Sequence, residues 1–346
     1  MSNRFFSQKR ILIIGGTGSI GRQILHSLIP LKPKIIKVFS RDEYKQHQLR
    51  YEYFDIKNVE YILGDIRDLE SIISACKNID LIFHSAALKH VPISEEMPEE
   101  FIKTNILGSL NVKKAALFNK VPLTVSISSD KAVDPTNLMG LTKSVQEKIF
   151  SSHYLKEKNK GIKFITVRFG NVIGTHGSLF PIIYHQIVNN LPITITYPEM
   201  TRFYMSEKEA IDLIFWAAMN GNDGEIIIKK MKSATIRSIV KNFLLVLKKK
   251  LTWPIKRIGI RVGEKMHESL ITEDNLFRTK EKEGYYIVSP YKSRDIVNDK
   301  LLIDSKKIKE KNKFVSNNSE NYLTDGKIIA YIKEFINQRK SKRDII

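Results

Sequence analysis

The stretch GGTGSIG at residues 15–21 constrains the fold of this chain more than any other segment. It directly follows the apolar run RILII and opens a helix-compatible segment. Its glycines Gly15, Gly18 and Gly21 have the spacing of a dinucleotide-binding turn, in which they permit a tight bend, backbone approach to a pyrophosphate and close helix packing. The stretch predicts a parallel α/β sheet with a phosphate site at the N-terminus of the following helix.

The first half of the chain repeats this alternation of strand and helix. Short β-branched runs are each followed by a helix-compatible segment, namely IIKVFSR, VEYILGD, DLIFHSA, LTVSISS and KFITVRFG. The pattern predicts right-handed crossovers and a doubly wound parallel sheet, a Rossmann fold that binds ligands at the carboxyl ends of its strands.

The regular alternation stops after about residue 170. We therefore predict a dinucleotide-binding Rossmann domain over residues 1–170, onto which residues 205–230 pack back. A smaller C-terminal substrate-binding lobe over residues 171–346 is predicted to end in a long polar loop, residues 305–321, and a final helix.

The charge of the chain favours an anionic ligand, since the formal net charge is +20. The lysines are scattered and lack the interleaved aromatic residues of a nucleic-acid stacking surface, so we expect a small anionic substrate and no nucleic acid. The single cysteine, Cys76, excludes an internal disulfide and a cysteine-based zinc site, and we expect no metal. No apolar run is long enough to cross a bilayer, which predicts a cytoplasmic protein without membrane attachment.

The tip of the second predicted strand indicates which dinucleotide is bound. Folds that prefer NAD usually place an acidic residue there to bind the ribose hydroxyls, whereas this chain has Ser40 and Arg41. A guanidinium group can pair with a 2′-phosphate, so we predict NADP. The alternative is a surface arginine that precedes an N-capping Asp42.

Further motifs occur in a fixed order along the chain. They are GDIRD (64–68), HSAALKHVP (84–92), KTNILGSLNV (103–112), SDKAVDPTN (129–137), RFGNVIG (168–174), MTRF (200–203) and GIRVGEKMHE (259–268). With them, the chain from about residue 10 to 290 resembles the inverting UDP-N-acetylglucosamine 4,6-dehydratases, which are extended short-chain dehydrogenases. The later stretch NNSENYLTDGKI resembles the soluble capsule-type 4,6-dehydratase/5-epimerases. The resemblance implies tightly held NADP, UDP-N-acetylglucosamine as substrate and a homo-oligomer such as a hexamer.

The resemblance also implies roles for individual residues. Together with the glycine turn and the strand tip, the expected cofactor residues are Gly15, Thr17, Gly18, Ser19, Ile20, Gly21, Ser40, Arg41, Asp65, Ile66, Ala86, Lys89, Lys143 and Asn171. The expected substrate residues are Lys89, Asn171, Arg202, Arg261 and Glu264. Guanidinium groups suit a pyrophosphate and a carboxylate suits sugar hydroxyls, although each arginine alone would also fit a surface salt bridge. His176 stands where the family commonly has arginine, so one contact is expected to be weaker.

The catalytic segment departs from the short-chain dehydrogenase pattern at one position. Those enzymes usually have a tyrosine four residues before the lysine, and here Met139 precedes Lys143. A thioether cannot transfer a proton. Relatives of the capsule type resemble this chain in having methionine there, so we predict an active enzyme whose base lies elsewhere.

The resemblance places the acid–base chemistry at Asp130 and Lys131. Lys131 is expected to take the proton of carbon 5, Asp130 to protonate the departing hydroxyl and Ser129 to orient the carbon 4 hydroxyl, while Lys143 orders the nicotinamide ribose. Lys131 must be neutral to act as a base, and we expect Lys89, Lys143 and the oxidised nicotinamide to lower its pKa. The alternative is an ordinary turn at the end of a strand.

The expected activity is therefore NADP-dependent 4,6-dehydration with inversion at carbon 5. The product would be a UDP-2-acetamido-2,6-dideoxy-L-arabino-hexos-4-ulose for surface polysaccharide or glycan synthesis. Two alternatives remain, a UDP-sugar 4-epimerase on the same scaffold and a non-catalytic nucleotide-binding or RNA-binding Rossmann protein.

Overall fold

The computed structural model describes residues 2–152, 161–290 and 314–343. The strands are β1 (Arg10–Ile14), β2 (Ile35–Ser40), β3 (Val59–Leu63), β4 (Leu81–His84), β5 (Leu123–Ile127), β6 (Lys163–Arg168), β7 (Asn171–Val172), β8 (Ile193–Ile195), β9 (Thr201–Met205), β10 (Ile226–Lys229), β11 (Lys232–Thr235), β12 (Ile255–Arg257), β13 (Thr279–Lys282) and β14 (Tyr285–Val288). The α-helices are α1 (Ser2–Phe6), α2 (Ser19–Leu28), α3 (Glu43–Glu52), α4 (Leu69–Ala75), α5 (Val91–Glu96), α6 (Pro98–Phe101), α7 (Gly108–Phe118), α8 (Leu138–Ser151), α9 (Leu179–Val188), α10 (Glu207–Asn220), α11 (Ile236–Val246), α12 (Glu273–Leu276) and α13 (Asp325–Arg343).

A nine-stranded sheet with the order β13-β14-β10-β6-β5-β4-β1-β2-β3 forms the centre of the molecule. Its strands from β10 to β3 pair in parallel, and the hairpin β13–β14 joins antiparallel to β10. The predicted doubly wound α/β fold is confirmed. The strand order reverses between β1 and β4, and ligands of such sheets bind in the crevice at this point.

The first strand shows why the sheet forms here. Ile11 and Ile13 pack into one core beneath α2 and α10, whereas Leu12 and Ile14 pack into the opposite core beneath α4, α7 and α8. All four side chains are buried, because helices cover both faces of the sheet.

The smaller lobe has its own core. The sheets β11-β9-β7 and β12-β8 pack with α9, α11 and α13. Phe180 of α9 makes edge-to-face contacts with Phe243 of α11 and Phe335 of α13, at ring-centroid distances of 5.1 and 6.0 Å. These contacts attach the C-terminal helix to the lobe.

The hairpin β13–β14 lies within the range predicted for the smaller lobe, but it joins the large sheet. β14 pairs with β10 and extends the large sheet, and Tyr285 stacks on Trp216 of α10 with ring centroids 4.3 Å apart. The hairpin covers a sheet edge that would otherwise expose unpaired backbone groups. Residues 205–230 supply α10 and β10, and β10 pairs with β6 in the same sheet. Within the predicted loop 305–321, residues 305–313 lie outside the described residues.

No helix in the described ranges is long and apolar enough to cross a membrane.

Candidate active site

The glycine turn between β1 and α2 lies directly against the end of β4. Gly15 has a φ of +81°, and a Cβ on it would stand 2.6 Å from the backbone nitrogen of Ala86. Gly18 is the N-cap of α2 without a side-chain hydrogen bond, and its amide donates to the Gly15 carbonyl oxygen at 3.0 Å. A side chain at Gly15 would overlap the Ala86 backbone, so only glycine lets the turn pack this closely against the end of β4.

The groups around this turn fit the pyrophosphate of a dinucleotide. The first turn of α2 has no acidic residue, so the positive end of the helix dipole faces the crevice without an opposing charge. Thr17 is buried, Ile20 packs on the main core and Gly21 is buried in the first turn of α2. The hydroxyl of Ser19 accepts a hydrogen bond from the His176 amide at 3.2 Å, which links the turn to the smaller lobe.

The tips of β2 and β3 bring the predicted cofactor residues Ser40, Arg41 and Asp65 together. Ser40 is buried, and its hydroxyl accepts a hydrogen bond from Gln46 at 3.2 Å, whereas Arg41 is exposed. Burial alone would raise the pKa of Asp65, but hydrogen bonds from Arg67 and the positive charges of Arg67 and Arg41 lower it overall.

Ile66, the next predicted cofactor residue, packs under α7. A Cβ on Gly108 would stand 3.0 Å from its side chain, so this glycine makes room for it. The carbonyl oxygen of Ile66 accepts a hydrogen bond from Asn111 at 3.1 Å, and Ile66 itself belongs to the core beneath α4 and α7. Its position beside the β3 tip therefore has a packing role as well.

Asp130 and Lys131 lie in a short 3₁₀ turn directly after β5. Asp130 is fully buried, and its Oδ1 accepts hydrogen bonds from the hydroxyl of Ser129 at 2.9 Å and from Lys131 Nζ at 3.1 Å. Its Oδ2 has no hydrogen-bond partner among the described residues. A Cβ on Gly170 would stand 3.1 Å from this oxygen, so the glycine leaves space in front of the carboxyl group.

Lys131 has a second acidic neighbour in Glu268. The distance from Lys131 Nζ to Glu268 Oε1 is 3.8 Å, and Glu268 is only 2% exposed. Burial lowers the pKa of Lys131, but the charges of Asp130 and Glu268 more than offset it, and the pKa is raised overall. The predicted lowering of this pKa is therefore wrong for the protein groups, because the negative charges of Asp130 and, second to it, Glu268 outweigh burial and the nearby positive charge.

Lys143 and Met139 lie one helical turn apart at the start of α8. Lys143 Nζ donates hydrogen bonds to the Ile127 carbonyl oxygen and to Gln146 Oε1, both at 2.8 Å. Burial lowers the pKa of Lys143 to about 8. Met139 is 3% exposed, and its backbone amide donates to Ser94 Oγ at 3.2 Å. The predicted part of Lys143 in ribose binding stays a prediction.

Lys89 and Asn171 approach the same crevice from the two lobes. Lys89 Nζ donates to the His176 carbonyl oxygen at 2.6 Å, and desolvation followed by the charge of Lys131 lowers its pKa. Asn171 follows Gly170 at the start of β7 and pairs with β9. Both residues therefore lie near the Asp130–Lys131 turn.

Arg202 is buried at the inner face of the smaller lobe. Its terminal nitrogens donate to the carbonyl oxygens of Thr201 at 2.7 Å, Lys265 at 2.9 Å and Met266 at 3.2 Å. Its Nε lies 3.8 Å from Glu268 Oε1. In this arrangement the guanidinium fastens the segment before Glu268 to β9, and its predicted contact with UDP stays a prediction.

Arg261 and Glu264 lie on a loop that reaches the catalytic segment. The Arg261 side chain is 51% exposed, and its backbone amide donates to Glu264 Oε2 at 3.2 Å. The carbonyl oxygen of Gly263 accepts hydrogen bonds from Thr136 at 2.9 Å and Asn137 at 2.8 Å, just before α8. The loop is thus tied to the segment that precedes α8, and the Arg261 guanidinium on it is accessible.

The sequence prediction missed Glu268 and the buried network that supports it. Arg168 of β6 forms an ion pair with Glu147 of α8 at 2.6 Å and donates to the Leu270 carbonyl oxygen at 2.7 Å. Ser128 Oγ donates to the same Glu147 carboxylate at 2.6 Å. Glu268 ends the motif GIRVGEKMHE, but its contact with Lys131 depends on how the two lobes pack.

Comparison with known proteins gives the family. Residues 11–290 match the family model described as "Polysaccharide biosynthesis protein". The chain is 38% identical over 316 residues to an uncharacterized membrane protein of Methanocaldococcus jannaschii, with coverage of 90% of this chain and 95% of that protein. It is 39% identical over 308 residues to a UDP-glucose 4-epimerase of Rickettsia bellii, with coverage of 87% and 89%.

Solved structures show the same fold. Pen from Bacillus thuringiensis superposes with a TM-score of 0.86 at 36% identity, with coverage of 95% of this chain and 99% of that chain. DesIV, a dTDP-glucose 4,6-dehydratase from Streptomyces venezuelae with NAD and TYD bound, superposes with a TM-score of 0.66 at 20% identity, with coverage of 74% and 86%. The second likeness concerns the fold alone.

Proposed function

We propose, from the premise that the chain belongs to the polysaccharide biosynthesis protein family, that it is a UDP-N-acetylglucosamine 4,6-dehydratase that inverts carbon 5. Its fold is that of nucleotide-sugar epimerases and dehydratases of the short-chain dehydrogenase type. The main observation in support of dehydration is the ion pair between Lys131 and the fully buried Asp130, which lies at the strand end where such sheets bind ligands. This pair supplies an acid and a base side by side.

NADP is the proposed cofactor. The turn around Gly15 and Gly18 would hold its pyrophosphate, and Arg41 would pair with its 2′-phosphate at the tip of β2. The chemistry that it supplies when bound is acceptance of a hydride from carbon 4 and its return to carbon 6. DesIV is described with NAD, and an exposed arginine rather than an acidic residue at the β2 tip supports NADP in this chain.

The hydrogen bond between Lys131 and Asp130 can prepare both catalytic groups in one step. In the resting pair Lys131 is an ammonium and Asp130 a carboxylate, and the raised pKa of Lys131 opposes loss of its proton to solvent. Transfer of one proton over the 3.1 Å from Nζ to Oδ1 yields a neutral amine and a carboxylic acid together. No proton has to enter from solvent or leave to it.

Elimination then restores the pair. The Lys131 amine takes the proton of carbon 5, which is acidified by the ketone at carbon 4, and the Asp130 carboxyl group protonates the hydroxyl that leaves carbon 6 as water. Lys131 is again an ammonium and Asp130 again a carboxylate, so the elimination balances. The proton that the carbon 4 hydroxyl loses on oxidation passes to solvent water, and a solvent proton adds to carbon 5 when the hydride returns to carbon 6. The Oδ2 of Asp130, which has no hydrogen-bond partner among the described residues and faces the space left by Gly170, supports the part of Asp130 as the proton donor.

Substrate recognition is assigned to the smaller lobe. The exposed guanidinium of Arg261 suits the diphosphate of UDP, and Glu264 suits ribose hydroxyls. Lys89 and Asn171 would lie between cofactor and hexose. Arg202 would act on the diphosphate only after giving up part of its backbone contacts. We also propose a homo-oligomer, in keeping with the resemblance.

A second candidate is a UDP-sugar 4-epimerase, favoured by the name of the Rickettsia bellii relative. Such an enzyme returns the hydride to carbon 4 and eliminates no water, so it does not need a proton donor for a leaving hydroxyl. Incubation of the NADP-loaded protein with UDP-N-acetylglucosamine, followed by proton NMR, separates the candidates. A 6-methyl signal with a 4-keto group supports dehydration, UDP-N-acetylgalactosamine supports epimerisation, and unchanged substrate contradicts both.

A further inference from the structure

Glu268 is the buried acidic group of the crevice that the proposed reaction does not use. It lies on the segment between the Arg261 loop and α12, far from Lys131 in sequence, yet its Oε1 is 3.8 Å from Lys131 Nζ. Its own pKa is raised, first by burial and further by the charge of Asp130, while the positive charge of Lys131 opposes the shift.

The position of Glu268 is fixed by its backbone and by neighbouring cations. Two hydrogen bonds tie the Glu268 backbone to Ser316. The Glu268 amide donates to Ser316 Oγ at 2.8 Å, and the Ser316 amide donates to the Glu268 carbonyl oxygen at 2.8 Å. Lys265 Nζ lies 3.6 Å from Oε2, and Arg202 Nε lies 3.8 Å from Oε1. The Glu268 carboxylate therefore lies among three cations, although its Oε2 has no hydrogen-bond partner among the described residues.

We propose that Glu268 is a positioning residue, the second counter-ion of Lys131, which holds the Lys131 ammonium beside Asp130 and sets the pH range in which the pair works. This inference rests on the proposed function in one respect, that Lys131 is the base. In the described part of the chain, the other charged groups that face Lys131 or Glu268 are Asp130, Arg202, Lys265 and Lys89. Of these, only Asp130 shares with Glu268 a negative charge that favours the ammonium.

The direction of the effect follows from this charge. Neutralising Glu268 removes one of two negative charges near Nζ, so the Lys131 ammonium loses its proton more readily. The pH–rate profile of the Lys131–Asp130 pair should then move to lower pH. An opposite charge at such a distance changes a pKa by on the order of one unit or more, and a shift of that size is measurable.

The test compares Glu268→Gln with Glu268→Asp, which keeps the charge. In protein labelled with ¹³C-lysine, the Lys131 resonance is assigned by its absence in Lys131→Arg and titrated without substrate. The Gln variant should titrate about one pH unit or more below the native protein, and its kcat/KM profile should move the same way. The Asp variant should stay closer to the native protein in both measurements.

The two readouts separate failure of this inference from failure of the proposed function. An unchanged Lys131 titration in the folded Gln variant overturns the inference. If the Gln variant does not fold, the Asp variant is the test. A Lys131 titration about one pH unit or more below the native one, although the charge is kept, overturns the inference. A shifted titration with an unchanged rate profile supports the counter-ion contact and instead contradicts Lys131 as the base.

Discussion

Replacing Lys131 by arginine separates the charge of this side chain from its basicity. Arginine stays protonated at every accessible pH, so it can balance Asp130 and Glu268 but cannot take a proton from carbon 5. Methionine has a similar length and carries no charge. The proposed mechanism therefore predicts that both variants lose dehydration and that only Lys131→Met loses the ion pairs.

The structure gives the magnitudes. Asp130 is 0% exposed and Glu268 is 2% exposed, so Lys131→Met leaves two buried carboxyl groups without their shared cation. Removal of one partner of a buried ion pair costs about 3–5 kcal/mol of unfolding free energy. Because the Lys131 side chain is 23% exposed, we expect the low end, about 3 kcal/mol. Loss of a positioned base lowers the rate by about 10²–10⁴ in both variants.

The assays are urea unfolding and proton NMR of the reaction in heavy water. Lys131→Arg should unfold within about 1 kcal/mol of the native protein and bind NADP, yet form no dehydrated product and incorporate no deuterium at carbon 5. Dehydration at the native rate by folded Lys131→Arg would place the base elsewhere. An unfolding free energy of Lys131→Met equal to that of the native protein would show that the ion pairs do not stabilise the fold.

Three further predictions concern other parts of the chain. Arg41→Asp should weaken NADP binding by about 10-fold to 100-fold through loss of a charge-assisted hydrogen bond, while NAD binding is unchanged. If fluorescence titration gives the variant and the native protein the same affinity for NADP, Arg41 does not belong to the site. Met139→Leu should leave the reaction product unchanged and alter kcat through packing alone, since neither side chain transfers a proton. A variant that folds and binds NADP but is inactive would show that Met139 takes part in the chemistry. Burial and, to a lesser extent, the charge of Lys143 lower the pKa of His84 to about 3. Between pH 6.5 and 3 only the unfolded state therefore gains this proton, and the free energy of unfolding falls by up to about 1.4 kcal/mol per pH unit as the pH is lowered. His84→Phe should flatten this dependence in urea unfolding, and identical slopes for variant and native protein would contradict the assignment.

The sequence predicted the sheet because its signals are local. GGTGSIG and the alternation of short β-branched runs with amphipathic segments depend on residues close together in the chain, and β1 to β6 follow from them. The hairpin β13–β14 had no such signal. Its place on the sheet edge depends on pairing with β10 and on the stacking of Tyr285 on Trp216, which are long-range contacts.

The candidate site was predictable to the extent that it lies at strand ends. Asp130 and Lys131 could be placed at the end of β5, but their electrostatics could not, because Glu268 reaches Lys131 only through the packing of the lobes. The buried pair of Arg168 and Glu147 holds that packing together through the Leu270 carbonyl oxygen. A motif gives residue types in order along the chain, whereas a pKa depends on every charge within a few ångströms.

The most direct test of the proposed function follows a deuterium label at carbon 4 of UDP-N-acetylglucosamine. The NADP-loaded protein is incubated with this substrate in ordinary water, and the position of the label in the product is read by NMR and mass spectrometry. A dehydratase should move the deuterium to carbon 6 of a 4-keto sugar with inverted carbon 5, where a proton from solvent replaces the original one. Deuterium retained at carbon 4 of a product that has lost no water would contradict dehydration and leave the Asp130–Lys131 pair without its proposed reaction.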